Sequence, residues 1–232
     1  QLGRYEEAMS LLDGHIFHPW EGGEGKVPAQ YQYARVEKAK EMLNTPDSAS
    51  EKAIALLEEC LIYPHHLGEG KLHGAQENDF YYFLGCAYEK LGDTERAHEC
   101  WEKATYGPTE PAAAMYYNDA KPEKIFYQGL ALQKLGRTDE ANGRFYKLVN
   151  YGKQHIFEPQ VMDYFAVSLP DLQIWDGDLN EKNRIHCLFM LALGYTGLGE
   201  TEKGKRYLHE VEQLDINHQG IMALKNLLNN EK

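Results

Sequence analysis

The chain has 232 residues, 43% of them hydrophobic and 26% charged, and its 36 Asp+Glu against 24 Lys+Arg leave a formal net charge of −12. That composition belongs to a folded chain long enough to bury a core and not to a disordered one. The acidic excess, with no Lys/Arg run of five or more, sets aside nucleic acid and anionic membrane as partners, and no apolar run approaches the roughly 18 residues of a membrane-spanning helix.

Taken in chain order, the apolar spacing predicts helices near 1–12, 28–43, 50–62, 76–91, 94–105, 121–135, 138–151, 182–198, 201–213 and 217–229. One signature organises them. Leu2-Gly3, Leu91-Gly92, Leu135-Gly136 and Leu198-Gly199 are each followed five residues after the Gly by a small residue: Ala8, Ala97, Ala141 and Gly204. Ala53 follows a looser copy of the turn. The small residues recur at steps of 45, 44, 44 and 63, a spacing that marks an internal repeat. In each unit the Gly ends a first helix, because a left-handed backbone is cheap there only without a Cβ. Acidic side chains then start a second helix at its positive end, and the small residue lets the two helices approach closely. Helix 1–12 reads as a second helix whose first is missing, so the chain is expected to start mid-repeat, as a piece of a longer protein.

The string Leu84-Gly85, Tyr88, Gly92, Ala97, Trp101, Ala104 resembles the tetratricopeptide repeat. The resemblance implies an all-α solenoid of stacked antiparallel helix hairpins with period near 34 residues; units here run about ten residues longer. The expected organisation is a single array over 1–232: a partial unit 1–12, units about 28–62, 76–105, 121–151 and 182–213, and a terminal helix 217–229. Two further strings, around Phe17-His18-Pro19-Trp20 and Tyr116-Tyr117-Asn118-Asp119, resemble a bacterial family that joins a galactose-mutarotase-like N-terminal region to a C-terminal array of these repeats. That resemblance implies a carbohydrate-related parent protein.

The extra residues fall between units, at roughly 13–28, 61–76, 105–121 and 152–181, and are expected on one edge of the array. The first two insertions copy one another: Pro19 maps to Pro64, and Gly23-Glu24-Gly25-Lys26 to Gly68-Glu69-Gly70-Lys71. Similar backbones are therefore expected, with positive φ at some of these glycines. Read singly, the loops are structural turns. Read together, they collect His18, Trp20, Lys26, Tyr63, His65, His66, Lys71, Tyr116, Tyr117, Asn118 and Tyr164 on one edge, where loops serving connection alone tend to be short and polar. Tyr82 with Cys86, Phe126 with Leu130, and Phe189 with Leu193 occupy the groove-facing places of first helices, an apolar lining unsuited to clamping a carboxylate.

Catalytic readings are weak. Gly22-Gly23-Glu24-Gly25-Lys26 lacks the spacing of a phosphate loop and carries acids that repel phosphate. Ten histidines occur without a zinc-ligand spacing, and four cysteines (Cys60, Cys86, Cys100, Cys187) without CxxC read as apolar residues of a reducing, cytoplasmic compartment. Glu21, Glu24, Glu69, Glu77 and Asp79 are the carboxylates available to a glycosidase, but spacing does not make two of them converge. The expectation is a non-catalytic interaction module with no cofactor and no metal, binding a protein, a peptide or the upstream domain of its own chain. A carbohydrate-binding or glycoside-processing role for the loops is the alternative.

Overall fold

The computed structural model describes residues 2–19, 23–45, 50–113, 120–160 and 178–229. Among them it contains ten α-helices, one short 3-10 helix and no strand, the all-α architecture expected from the repeat. The chain divides into two compact units, residues 2–107 and 108–232.

The first unit holds α1 (Tyr5–Asp13), α2 (Lys26–Leu43), α3 (Ser50–Glu59), the 3-10 helix (His65–Leu67), α4 (Asn78–Lys90) and α5 (Thr94–Ala104). Helices α2/α3 and α4/α5 form hairpins, α1 packs on α2, and α3 packs on α4. The signature acts as its chemistry requires. Gly92 turns the chain at φ 78°, and the amide of Asp93 donates to the Tyr88 carbonyl at 3.0 Å, closing the end of α4. The Asp93 carboxylate then accepts the Arg96 amide at 3.0 Å and caps α5.

Close approach within the hairpin comes from a glycine on the first helix as well as the small residue on the second. A Cβ on Gly85 would lie 2.3 Å from the Trp101 indole nitrogen, so the ring lies flat on the α4 backbone and donates to the Tyr82 carbonyl at 3.3 Å. Trp101 is 7% exposed, as its place in the repeat predicts.

The second unit holds α6 (Pro122–Lys134), α7 (Thr138–His155), α8 (Leu179–Gly197), α9 (Thr201–Leu214) and α10 (Gln219–Asn229). Phe145 of α7 takes the place of Trp101, and a Cβ on Gly129 of α6 or Gly197 of α8 would lie 2.3 or 2.2 Å from its ring. Helix ends differ from the periodic reading by a few residues. Helix α3 stops at Glu59 because Leu61 and Ile62 tighten onto the Glu58 and Glu59 carbonyls ahead of Pro64. Helix α7 runs on to His155, whose ring lies 4.2 Å from that of Tyr151 one turn back, and α8 starts at Leu179 because Asp178 caps it through the Asn180 amide at 2.8 Å.

Candidate functional site in the paired loops

The two copied loops of the first unit lie side by side and are bonded together. The Phe17 amide donates to the His66 carbonyl at 2.7 Å. Gly68 passes so close beneath that a Cβ on it would sit 2.6 Å from the Phe17 carbonyl oxygen, and its φ of 78° independently excludes most side chains. Leu67, carried inward by the 3-10 helix, joins Leu12, Val27, Tyr31 and Phe17 in one apolar cluster. Glu69 reaches back from the second loop, and its carboxylate accepts the Gly25 amide at 2.7 Å. Gly25 is the N-cap residue of α2 and has no side chain to cap with, so the neighbouring loop supplies the anion that the helix N-terminus favours.

The expectation of similar loop backbones is corrected. Gly25 is left-handed at φ 74°, whereas its counterpart Gly70 is not; in the copied string of the second loop the left-handed residue is Gly68. The physical reason is position. Gly25 leads straight into α2, while Gly68 ends the 3-10 helix, and residues 71–77 still separate it from α4. The sequence copy is real; the two copies complement one another instead of repeating a shape.

Beneath the loops lies a charged clamp. Arg35, in the middle of α2, donates to both oxygens of Asp13 at 2.7 and 2.9 Å and to Glu59 at 2.7 Å. Its guanidinium lies 3.5 Å over the Tyr31 ring. The clamp joins the C-terminal ends of α1 and α3, from which the two loops depart, and places a cation where both helix dipoles are negative. Burial opposes the charge, but hydrogen bonds to Glu59 and Asp13 hold the Arg35 pKa above its ordinary value. Farther along α2, Glu37 and Lys40 form a buried pair at 2.7 Å, with the Lys40 ammonium 5.4 Å from the Phe83 ring centre. Burial, aided by the Glu37 charge, raises the Tyr33 phenol pKa. None of these charges was selected from sequence. The available signal was an Arg in the core-facing register, four residues after Tyr31 and four before Ala39.

Of the residues singled out from sequence, six meet here. His18, Lys26, His65 and Lys71 are exposed, and Tyr63 and His66 are half-buried. The His66 ring stands edge-on to Tyr31 with centroids 6.4 Å apart, and Lys71 pairs with Glu77 and donates to the Leu61 carbonyl at 3.4 Å. Tyr82 is half-buried on α4, against Phe83 at 5.1 Å. Phe126 is corrected: at 1% exposed it packs between Tyr127 and Phe145 in the core of the second unit, as Phe189 and Leu193 also pack inside. The periodicity marked the right helix face, but neighbouring helices cover it. Trp20, Glu21, Tyr116, Tyr117, Asn118 and Tyr164 lie outside the described residues.

In the second unit the start of the third insertion is strapped down. Gln128 donates to the Pro108 carbonyl at 2.9 Å, Lys147 bonds Thr109 at 3.0 Å and pairs with Glu110, and His186 meets the Ala112 carbonyl at 2.8 Å. Beyond it an open cleft of about 600 Å3 is lined by Phe157, Glu158, Asp178, Asn180, Arg184 and Leu214, among others.

Glu69 and Glu77, two of the carboxylates considered for catalysis, are bonded to Gly25 and Lys71. Burial pushes the Cys187 thiol up to about 11 and raises Cys100, which leaves both unreactive. Among the described residues no group of three or more His, Cys, Asp or Glu is arranged to hold a metal, and no helix is long and apolar enough to cross a membrane.

Comparison with known proteins agrees with this reading of the helices. No solved structure matches the chain. A family model for the tetratricopeptide repeat matches residues 79–105, which cover α4, its Gly92 turn and α5. Repeats of this kind commonly mediate protein–protein interaction and are generally non-catalytic. The α4/α5 hairpin is a tetratricopeptide repeat within an all-α helical-repeat fold.

Proposed function

We propose that the chain is a non-catalytic interaction module whose paired loops, residues 14–25 and 61–77, form the surface that binds a protein or peptide partner. The observation that carries this reading is the exposure of Ile16, Ile62 and Leu72, at 76%, 61% and 51%, where the Phe17 amide is bonded to the His66 carbonyl and the Ile62 amide to the Glu59 carbonyl. Apolar side chains on an ordered backbone pay less ordering cost on binding than those on a loose one. Exposed His15, His18, His65 and His73 supply a polar rim, and Trp20 and Tyr63 are proposed as anchors, since buried aromatics dominate interfaces.

A domain of the same polypeptide is one form the partner takes, and the resemblance to a family with a mutarotase-like N-terminal region makes it a form to look for. The carbohydrate-processing alternative draws less support, because Glu69 already serves as a helix cap. Crosslinking in cells followed by mass spectrometry should give protein crosslinks from both loops. They should disappear in the triple variant Ile16→Ser, Ile62→Ser, Leu72→Ser while its helical content stays unchanged. Turnover of an oligosaccharide panel, abolished by Glu24→Gln or Glu69→Gln, would overturn the interaction reading.

A further inference from the structure

Helix α10 packs on α8 and α9 far more sparsely than those two pack on each other, and its attachment is centred on a histidine. His218 precedes the helix, and its ring lies 4.5 Å from that of Phe189 on α8. Its amide donates to the Asp215 carbonyl at 3.2 Å, and its own carbonyl accepts the Ile221 amide at 3.1 Å, so the ring is tied to the first turn of α10. Two residues on, a Cβ on Gly220 would come within 2.1 Å of the Phe189 ring. The start of the helix therefore rests directly on that phenyl face.

The Nδ1 atom of His218 is buried with no hydrogen-bond partner. In the Nε2–H tautomer of the neutral ring this atom carries a lone pair, and leaving it unpaired costs less than leaving a cationic N–H unpaired. In the charged ring it carries a proton with no acceptor, which costs the full desolvation of a cationic N–H. The titratable groups whose charges act on the ring are Glu123 from α6, Asp215 from the turn and His186 from α8. Burial pushes the His218 pKa below its ordinary 6.5; Glu123 and Asp215 pull it back, and His186 adds to the lowering. The second tether of α10 is the pair of Lys225 with Glu212 of α9 at 2.5 Å. Lys225 holds the Glu212 carboxylate below its usual range, so that pair adds no pH dependence of its own in mild acid.

We propose that α10 is an acid-released helix: it stays docked on α8 and α9 while His218 is neutral, and it detaches when the ring takes a second proton, uncovering Phe189 and the apolar row Ile221, Leu224 and Leu228. The direction follows from linkage. The docked state has the lower pKa, so docking is at full strength above about 6.5 and weakens as pH falls below it, until the docked-state value is passed. This device does not depend on the partner-binding reading of the loops.

Hydrogen exchange of the intact protein, read by mass spectrometry at pH 7.5, 6.5 and 5.5 and corrected for intrinsic rates, tests it. The opening equilibrium of residues 219–229 should rise by up to about tenfold per pH unit below 6.5, while residues 201–214 stay protected. His218→Gln should make that opening independent of pH. His218→Phe, which keeps a ring against Phe189, should do the same should the Gln variant undock α10 outright. Opening that stays flat between pH 7.5 and 5.5, that rises equally in His218→Phe, or that is flattened by His186→Gln with His218 intact would overturn the proposal.

Discussion

The α4/α5 hairpin and the α6/α7 hairpin use the same repeat positions and reach different depths of burial. In the first, Trp101 rests on Gly85 and keeps its indole nitrogen on the Tyr82 carbonyl. In the second, Phe145 is fully buried, with Gly129 of its own hairpin on one side and Gly197 of α8 on another. A repeat position therefore fixes which side chain is a packing anchor, while the number of backbones that close around it sets how much the anchor is worth.

Truncating the two anchors gives the largest expected effects and the sharpest test of that difference. Phe145→Ala should cost about 5 kcal/mol, from lost burial and a cavity walled by two helix backbones that cannot collapse. Trp101→Ala should cost about 3 kcal/mol, since water reaches part of its site. Denaturant unfolding of the two variants checks the order; equal losses would break the comparison, and a loss at Trp101 below about 1 kcal/mol would place it outside the core.

The glycines opposite these rings give the next effect. Gly129→Ala and Gly197→Ala press a methyl into Phe145 and should each destabilise by about 1–2 kcal/mol, after the gain in helix propensity offsets part of the overpacking. Gly85→Ala should cost less, because the Trp101 indole, 7% exposed where Phe145 is fully buried, can shift by lengthening its 3.3 Å hydrogen bond to the Tyr82 carbonyl. The same melts measure all three, and a larger loss at Gly85 than at Gly129 would reverse the ranking.

The smallest effect belongs to the loops. Glu69→Ala removes a helix cap supplied across a loop contact and should cost about 1 kcal/mol of the first unit's stability. Its clearer readout is local: amides near the start of α2 should exchange faster while α4 and α5 are unchanged. Loss of protection across the whole unit would mean that the loop contact holds more than the helix end.

Each of these effects traces to a different level of legibility. The hairpins were readable because a helix repeats every 3.6 residues and a Leu-Gly turn has a chemical reason to recur, so ten helices came out within a few residues of their predicted places. Helix ends were less readable because they depend on single contacts, such as Asp178 on the Asn180 amide or the tilted contact of the Tyr151 and His155 rings one turn apart. His18, Tyr63, His65, His66 and Lys71 lie on the two loops and Lys26 at the start of α2, yet the copied Gly-Glu-Gly-Lys strings took different backbones. A loop's path is set by what lies beside it, and here each loop lies beside the other.

By itself the sequence determined the repeat, its Leu-Gly turns and the anchor Trp101, because all of these follow from spacing along one chain. Only the tertiary structure decided that Arg35 ties Asp13 to Glu59, that Glu69 caps α2 from another loop, that Phe126 is core, and that the His218 ring lies against Phe189. The reason is the same in each case. These contacts join residues 19 to 44 positions apart, the separations of Phe126 from Phe145 and of Glu69 from Gly25. A charged or aromatic side chain carries no local mark of which distant partner, or which covering helix, will remove it from water.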